Sequence, residues 1–316
     1  MIKAYKTVDA RLQEIDFDVL EKGAWIDLCS PTAQELEIVA EKTGVMMDLI
    51  SAATDEEESP RIETETDQIL VLIDIPILRS NKDYETLPLG VIITTDYIIT
   101  VCLEINTVIS DLLISPPGVF DTAKRTRFLF QMLFKSATLY LKYIRNINRR
   151  TDELEKHMRE SMENDELYKM LDLEKSLTYF SASVRSNYIL TERLLRMRAA
   201  NQLSQIIRMF EEDEDFLEDV IIEYKQAIDM VEMYTRILSS MLEVFASIIS
   251  NNLNRVMKFL AAVTIIMAVP TMISSFWGMN VPVPLTEHPY GFIMVSTFAF
   301  AVAFSAAYFL WKRSMF

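Results

Sequence analysis

Hydrophobic and polar positions follow three different regimes along this chain. Over residues 1–120, apolar runs rich in Ile, Val and Thr alternate with polar breaks. Those at 24–28, 69–78 and 87–102 predict sheet strands separated by turns. Ser30 and Pro31 predict a helix start, as N-cap and first helical residue, and Gly44 predicts its C-cap. The acidic stretch 55–60 reads as a connection, and Ser-Pro-Pro-Gly at 115–118 as a break that bounds an α/β domain.

The second regime, 121–250, contains neither proline nor glycine in 130 residues. Such a stretch is largely helical, since those two residues are the strongest helix breakers. It predicts three long helices, at about 121–162, at 164–200 and from 213 onward. In the last, Leu217, Val220, Tyr224, Ile228, Val231, Leu238, Met241 and Phe245 recur mainly in steps of three and four, the mark of a packed helical face. No turn signal separates this stalk from the apolar segment beyond it.

The third regime, 251–316, is a membrane hairpin. Residues 259–277 are nineteen uncharged positions in succession, and 291–311 are twenty-one more. At ~1.5 Å per residue the first makes about 28 Å of helix, close to a hydrocarbon core of ~30 Å. The expected spans are about 257–277 and 291–311. The expected class is α+β: an α/β domain (1–120), a helical stalk (121–250) and the hairpin (251–316).

Charge sharpens this picture. The hairpin region holds Arg255, Lys258, Lys312, Arg313 and one acid, Glu287, leaving 27 basic against 45 acidic residues in the first 250. A part with net charge −18 repels nucleic acid, whose phosphates need basic partners, and attracts cations. The basic residues flank the two spans on the side away from their connecting loop. The positive-inside rule therefore places both termini and the acidic part in the cytoplasm, in a plasma or inner membrane. Cys29 and Cys102 form neither a disulfide framework nor a zinc knuckle and read as core residues in a reducing compartment. The N-terminal residues lack the pattern of a secretory signal. With no phosphate-binding glycine loop, no HExxH and no nucleophile elbow, nothing points to an enzyme or an organic cofactor.

Inside the first span the small and polar residues are ordered. Asn254, Met257, Ala261, Thr264, Ala268, Thr271 and Ser275 follow alternating steps of three and four and so share one helical face. Such a stripe suits close packing of membrane helices, or the lining of a pore made by several copies. An asparagine beside an apolar span is costly unless partners or water satisfy it, which favours the pore. Gly278, Met279 and Asn280 end the span on the external side, with Gly278 in the place of a C-cap. Helix C-terminal carbonyls gathered there, with the neutral oxygen of Asn280, suit a cation such as Mg²⁺ that keeps most of its waters.

Gly-Met-Asn between two C-terminal spans, after a long stalk and an acidic α/β domain, resembles the CorA family of magnesium channels and transporters over essentially the whole chain. The resemblance implies a homopentamer in membrane lipid whose first spans line a pore for Mg²⁺ and also Co²⁺ or Ni²⁺. It implies ion entry at Gly278, Met279, Asn280 and Glu287, and a pore and gate at Asn254, Met257, Leu260, Thr264, Ala268, Thr271 and Ser275. Glu243 matches an acidic position in the stalk vestibule. Mg²⁺ is also the expected regulatory ligand, held between cytoplasmic domains by Asp219 and an acid such as Asp83. Trp277 stands where many members carry tyrosine, the loop has one acid where others have two, and the basic tail is short. The alternatives are a zinc transporter of the same superfamily, for which His157 and His288 supply few imidazoles, and a membrane-tethered cation sensor that does not conduct.

Overall fold

The computed structural model describes residues 1–65, 67–79, 83–161, 164–199, 210–285 and 288–313. It divides into two compact units, Met1–Ser240 and Met241–Phe316.

The first unit is built on a seven-stranded sheet: β1 (Ile2–Val8), β2 (Arg11–Ile15), β3 (Trp25–Cys29), β4 (Arg61–Thr64), β5 (Gln68–Leu78), β6 (Tyr84–Thr94) and β7 (Ile98–Cys102). Their spatial order is β2-β1-β3-β7-β6-β5-β4. Every neighbouring pair is antiparallel except β3 and β7, which are parallel. Antiparallel neighbours need only tight turns, whereas a parallel pair needs a long crossover. Here the crossover carries α1 (Ala33–Thr43), α2 (Met47–Ala52) and the strands β4 to β6.

Helix α1 begins later than the sequence predicts. Thr32, not Ser30, is the N-cap, because Thr32 and Glu35 form a reciprocal capping box that satisfies two orphan N–H groups. Pro31 therefore lies outside the helix, and Ser30 takes a left-handed turn with φ 47°. Gly44 does close the helix, at φ 74°. Leu36 and Val39 of α1, with Leu49 and Ile50 of α2, pack against Ile26, Leu28, Leu70, Leu72, Ile92, Ile99 and Val101 on one face of the sheet. Gly90 permits this approach: a Cβ there would meet the Ala53 Cβ at 2.6 Å.

Four further helices complete the unit and lead out of it: α3 (Thr107–Leu113), α4 (Arg125–Ser161), α5 (Asn164–Ala199) and α6 (Glu211–Trp277). On the reverse face of β3, Trp25 lies 5.1 Å from both Tyr5 and Phe128 of α4. At the far end of the β5–β6 hairpin, Tyr84 contacts Tyr143 of α4 and Phe180 of α5, with ring centroids 5.3 and 6.1 Å apart.

One residue of β5 shows how α5 is registered on the sheet. β4 pairs with β5 only as far as Leu72, so the outward N–H and C=O of Asp74 have no strand partner on that side. Asn187 of α5 replaces the missing strand. Its Oδ1 accepts the Asp74 N–H at 3.0 Å, and its Nδ2 donates to the Asp74 carbonyl at 2.7 Å. Tyr140 donates to the same carbonyl at 3.2 Å, and Ser183 donates to the Asp74 carboxylate at 2.5 Å. Burial pushes the Asp74 carboxyl above its ordinary range, with the Ser183 bond opposing it.

The Leu217, Val220, Tyr224, Val231 and Leu238 positions of α6 are buried, as their periodicity predicts. The start of α6 is fastened by Arg127, whose Nη1 donates to the Glu212 carbonyl at 2.8 Å and whose guanidinium covers the Phe216 ring at 4.3 Å. Asp213 is buried within the acidic run and accepts from the Phe210 N–H at 3.1 Å. As the third residue of the helix it reaches back to the N-cap backbone, and Arg127 Nη1 lies 3.5 Å from its carboxylate, so it is not a solvated charge.

The second unit holds the C-terminal part of α6 and α7 (Gly291–Lys312). Both helices are long and apolar enough to cross a membrane. α6 runs through Pro270, which frees the Ile266 carbonyl from its intrahelical partner because proline has no N–H.

Candidate functional site

The end of α6 and the loop after it form a short strapped turn. The last helical residue is Trp277, and the Gly278 N–H still bonds the Ser274 carbonyl at 2.9 Å. Gly278 is not a left-handed cap: among the described residues the positive-φ glycines are Gly23, Gly44 and Gly118. Gly278 thus follows the last helical residue, as expected, but without the left-handed turn, and the chain leaves the helix through a turn in which Met279 and Asn280 are exposed.

Trp277 fastens the loop that follows. Its Nε1 donates to the Pro284 carbonyl at 3.2 Å, drawing the loop back over the helix end. Leu285 then turns with φ 72°. Its carbonyl sits where a Cβ on Gly291 would lie, 2.2 Å away, and the Trp277 ring is 3.5 Å from the same point. Glycine at 291 is thus required by a close approach of backbone, not by its φ. Neither the strap nor the role of Gly291 is visible in the sequence, where Trp277 is only the last residue of the first span. Glu287, the acid expected in this loop, lies outside the described residues.

Below the turn, one face of α6 is covered and the rest is exposed, including large apolar residues such as Phe259, Met267 and Phe276. Ala262 is buried, and Ile266, Val269, Ile273 and Trp277 are half-buried. Asn254, Met257, Ala261, Thr264, Thr271 and Ser275 are exposed, with Ala268 half-buried among them. At 3.6 residues per turn the stripe is centred about 150° round the helix from the covered positions. The Thr264 and Thr271 hydroxyls donate to the carbonyls four residues back, Leu260 at 2.8 Å and Met267 at 2.9 Å, so neither hydroxyl proton is left without an acceptor. Leu260 is also exposed. On α7 the covered residues are Gly291, Ala299, Ala303 and Leu310.

The acidic positions are dispersed. Glu243 and Asp219 are exposed on α6, and Asp83 is half-buried just before β6, its carbonyl accepting from the Arg79 N–H at 2.9 Å. Among the described residues of one chain, no group of three or more His, Cys, Asp and Glu is assembled to hold a metal ion. Asp219 and Asp83 are thus not part of an intrachain metal cluster.

Fold and site together define a class: a protein whose two C-terminal helices, long and apolar enough to cross a membrane, follow a large acidic α/β unit. Comparison with known proteins narrows the class to one family. The model of the CorA-like Mg²⁺ transporter protein family matches residues 21–313, and the chain belongs to that family. It is 29% identical over 313 residues to the cobalt/magnesium transport protein CorA of Methanocaldococcus jannaschii, covering 97% of this chain and 95% of that protein. The complete structure of the CorA magnesium transporter from the same organism superposes with a TM-score of 0.81 at 25% identity, covering 98% of this chain and 96% of the other. The ZntB cytoplasmic domain from Vibrio parahaemolyticus superposes with a TM-score of 0.61 over 80% of this chain and 97% of that domain. At 11% identity it shares the fold alone.

Proposed function

We propose that the chain is one subunit of a homopentameric pore that admits Mg²⁺, and also Co²⁺ or Ni²⁺, with both termini in the cytoplasm. The observation that carries this reading is the orientation of the α6 stripe. Its small and polar positions lie away from the face that is covered within the unit. Packing inside the hairpin therefore does not account for them, and copies arranged around an axis would. In that arrangement Asn254, Met257 and Leu260 form the inner polar ring and hydrophobic gate, and Thr264, Ala268, Thr271 and Ser275 line the path outward. Gly278, Met279 and Asn280, with Glu287 in the loop, receive the hydrated ion. Neutral oxygens suit a dication that sheds water reluctantly better than a tight carboxylate cage does.

Glu243 contributes negative charge to the inner vestibule. Asp219 of one subunit and Asp83 of its neighbour hold a regulatory Mg²⁺. Opposed carboxylates repel until a dication bridges them, so occupancy favours the closed ring and loss of the ion releases it. Similarity to the cobalt/magnesium transport protein of Methanocaldococcus jannaschii supports the choice of ions.

The test is Mg²⁺ flux into proteoliposomes under an inside-negative potential. The wild type is expected to conduct, and Asn280→Ala to lose flux while keeping the pentameric mass in detergent. No flux in the wild type would favour a tethered sensor, and unchanged flux in the variant would remove Asn280 from the path.

A further inference from the structure

The two cysteines, seventy-three positions apart, are brought face to face by the single parallel strand pair. In the β3–β7 register, Trp25 is opposite Ile98, Asp27 opposite Thr100 and Cys29 opposite Cys102. Two bonds along this row show which face these residues share. Trp25 Nε1 donates to Thr100 Oγ1 at 2.8 Å, and Thr100 Oγ1 donates to Asp27 Oδ1 at 2.7 Å. Side chains alternate with period two, so Cys29 and Cys102 are the next rung of the same row. The Ser30 N–H donates to the Cys102 carbonyl at 2.9 Å and holds the register to the end of both strands.

Three further observations bear on what this rung can do. Cys102 is 1% exposed whereas Cys29 is partly exposed, so the pair has one buried sulfur and one approachable one. Burial raises the Cys102 thiol to about 11, but the Glu104 N–H and the Asn106 amide side chain oppose that rise. Burial, Asp27 and Glu104 raise the Cys29 thiol as well, so both sulfurs rest as thiols and the ion must displace their protons. Finally, neighbouring strands lie about 4.8 Å apart, so the in-register Cys29 and Cys102 side chains leave the sheet close together. A single atom inserted between the sulfurs adds one bond on each side and tolerates the strand spacing.

We propose that Cys29 and Cys102 form a two-sulfur site for a soft cation of the Cu⁺, Ag⁺ and Hg²⁺ class, separate from any path for Mg²⁺. Soft thiolates select such ions over the hard cations that oxygen ligands prefer. Binding Hg²⁺ forms two metal–sulfur bonds and releases the two thiol protons, giving a neutral dithiolate with no change of oxidation state. The ion enters at Cys29 and is completed by Cys102.

The probe is Hg²⁺ added to the full chain in detergent, read by native mass spectrometry. The wild type is expected to gain one tightly held ion per chain and lose two protons. Cys29→Ser and Cys102→Ala are each expected to weaken uptake at least 100-fold against a competing small thiol. An X-ray absorption spectrum of the wild-type complex needs no variant and is expected to show two sulfur neighbours. One sulfur neighbour, two ions per chain, or uptake unchanged in both variants would overturn the proposal. A mass lower by two hydrogens with no metal gained would show a disulfide instead and would overturn it as well.

Discussion

Asn187 offers the sharpest test of how the first unit is held together. Asn187→Ala removes both bonds to the Asp74 backbone, at 3.0 and 2.7 Å. The Asp74 carbonyl keeps Tyr140 at 3.2 Å, whereas the N–H loses the acceptor it has here. Leaving a buried donor unsatisfied costs about 1–3 kcal/mol, and the second lost bond adds roughly 1 kcal/mol. A total of about 2–4 kcal/mol corresponds to a ~30- to 700-fold change in an opening equilibrium. Hydrogen exchange at the Asp74 amide in the full-length protein reads that equilibrium directly, and exchange should accelerate by this factor. The control is Arg185→Ala, which removes an exposed ion pair with Glu232 at 2.5 Å. Exposed pairs contribute below ~1 kcal/mol, so amide exchange at Asp74 should be almost unaffected. An acceleration under fivefold in Asn187→Ala would refute the view that its carboxamide stands in for a strand.

Three other outcomes are expected of the same structure. Burial raises the Asp74 carboxyl above its ordinary value of 3.8, so its contribution to stability is fully present below that value and is lost as pH rises through the raised one. Asp74→Asn should therefore raise the melting temperature at pH 7 and flatten its dependence between pH 4 and 7, and a lower melting point at pH 7 would contradict this. Gly291→Ala drives a methyl against the Leu285 carbonyl; overpacking of this kind costs about 1–3 kcal/mol, and an unchanged melting temperature in detergent would show that the loop yields freely. Asp219→Ala should weaken the protection from protease that millimolar Mg²⁺ gives the wild type, and equal protection would assign the regulatory ion to other carboxylates.

What the sequence can disclose depends on how local each signal is. The long helices declare themselves by composition: the stretch without proline and glycine contains all of α4 and α5 and the start of α6. Both apolar helices are equally plain. The strand hairpin β1–β2 leaves no trace because Asp9 and Ala10 make its turn with φ 48° and 60°, where glycine or asparagine would be the usual sign. Strand β4 is equally silent because it is four residues long and carries Arg61 and Glu63. Asp213 is hidden in an acidic run, and only the neighbouring Arg127 and Phe210 set it apart from a solvated charge. Asn187 and Asp74 are separated by 113 positions, so no local pattern can link them. At the candidate site, the stripe is legible because it repeats in steps of three and four. The strap from Trp277 to Pro284 is not legible, because it depends on how the loop folds back.

The borders of the sheet have a consequence for how copies of this chain can meet. β2 and β4 are five and four residues long, and between them carry Arg11, Glu14, Arg61 and Glu63. Short, charged border strands make poor templates for a neighbour's backbone. Copies thus have little means of fusing their sheets into one continuous ladder, and any association of copies would fall to helix surfaces and loops. Contacts between side chains can slip and re-form without unzipping a row of backbone bonds. In an assembly joined in this way, a neighbour could shift without breaking any backbone bond of this sheet.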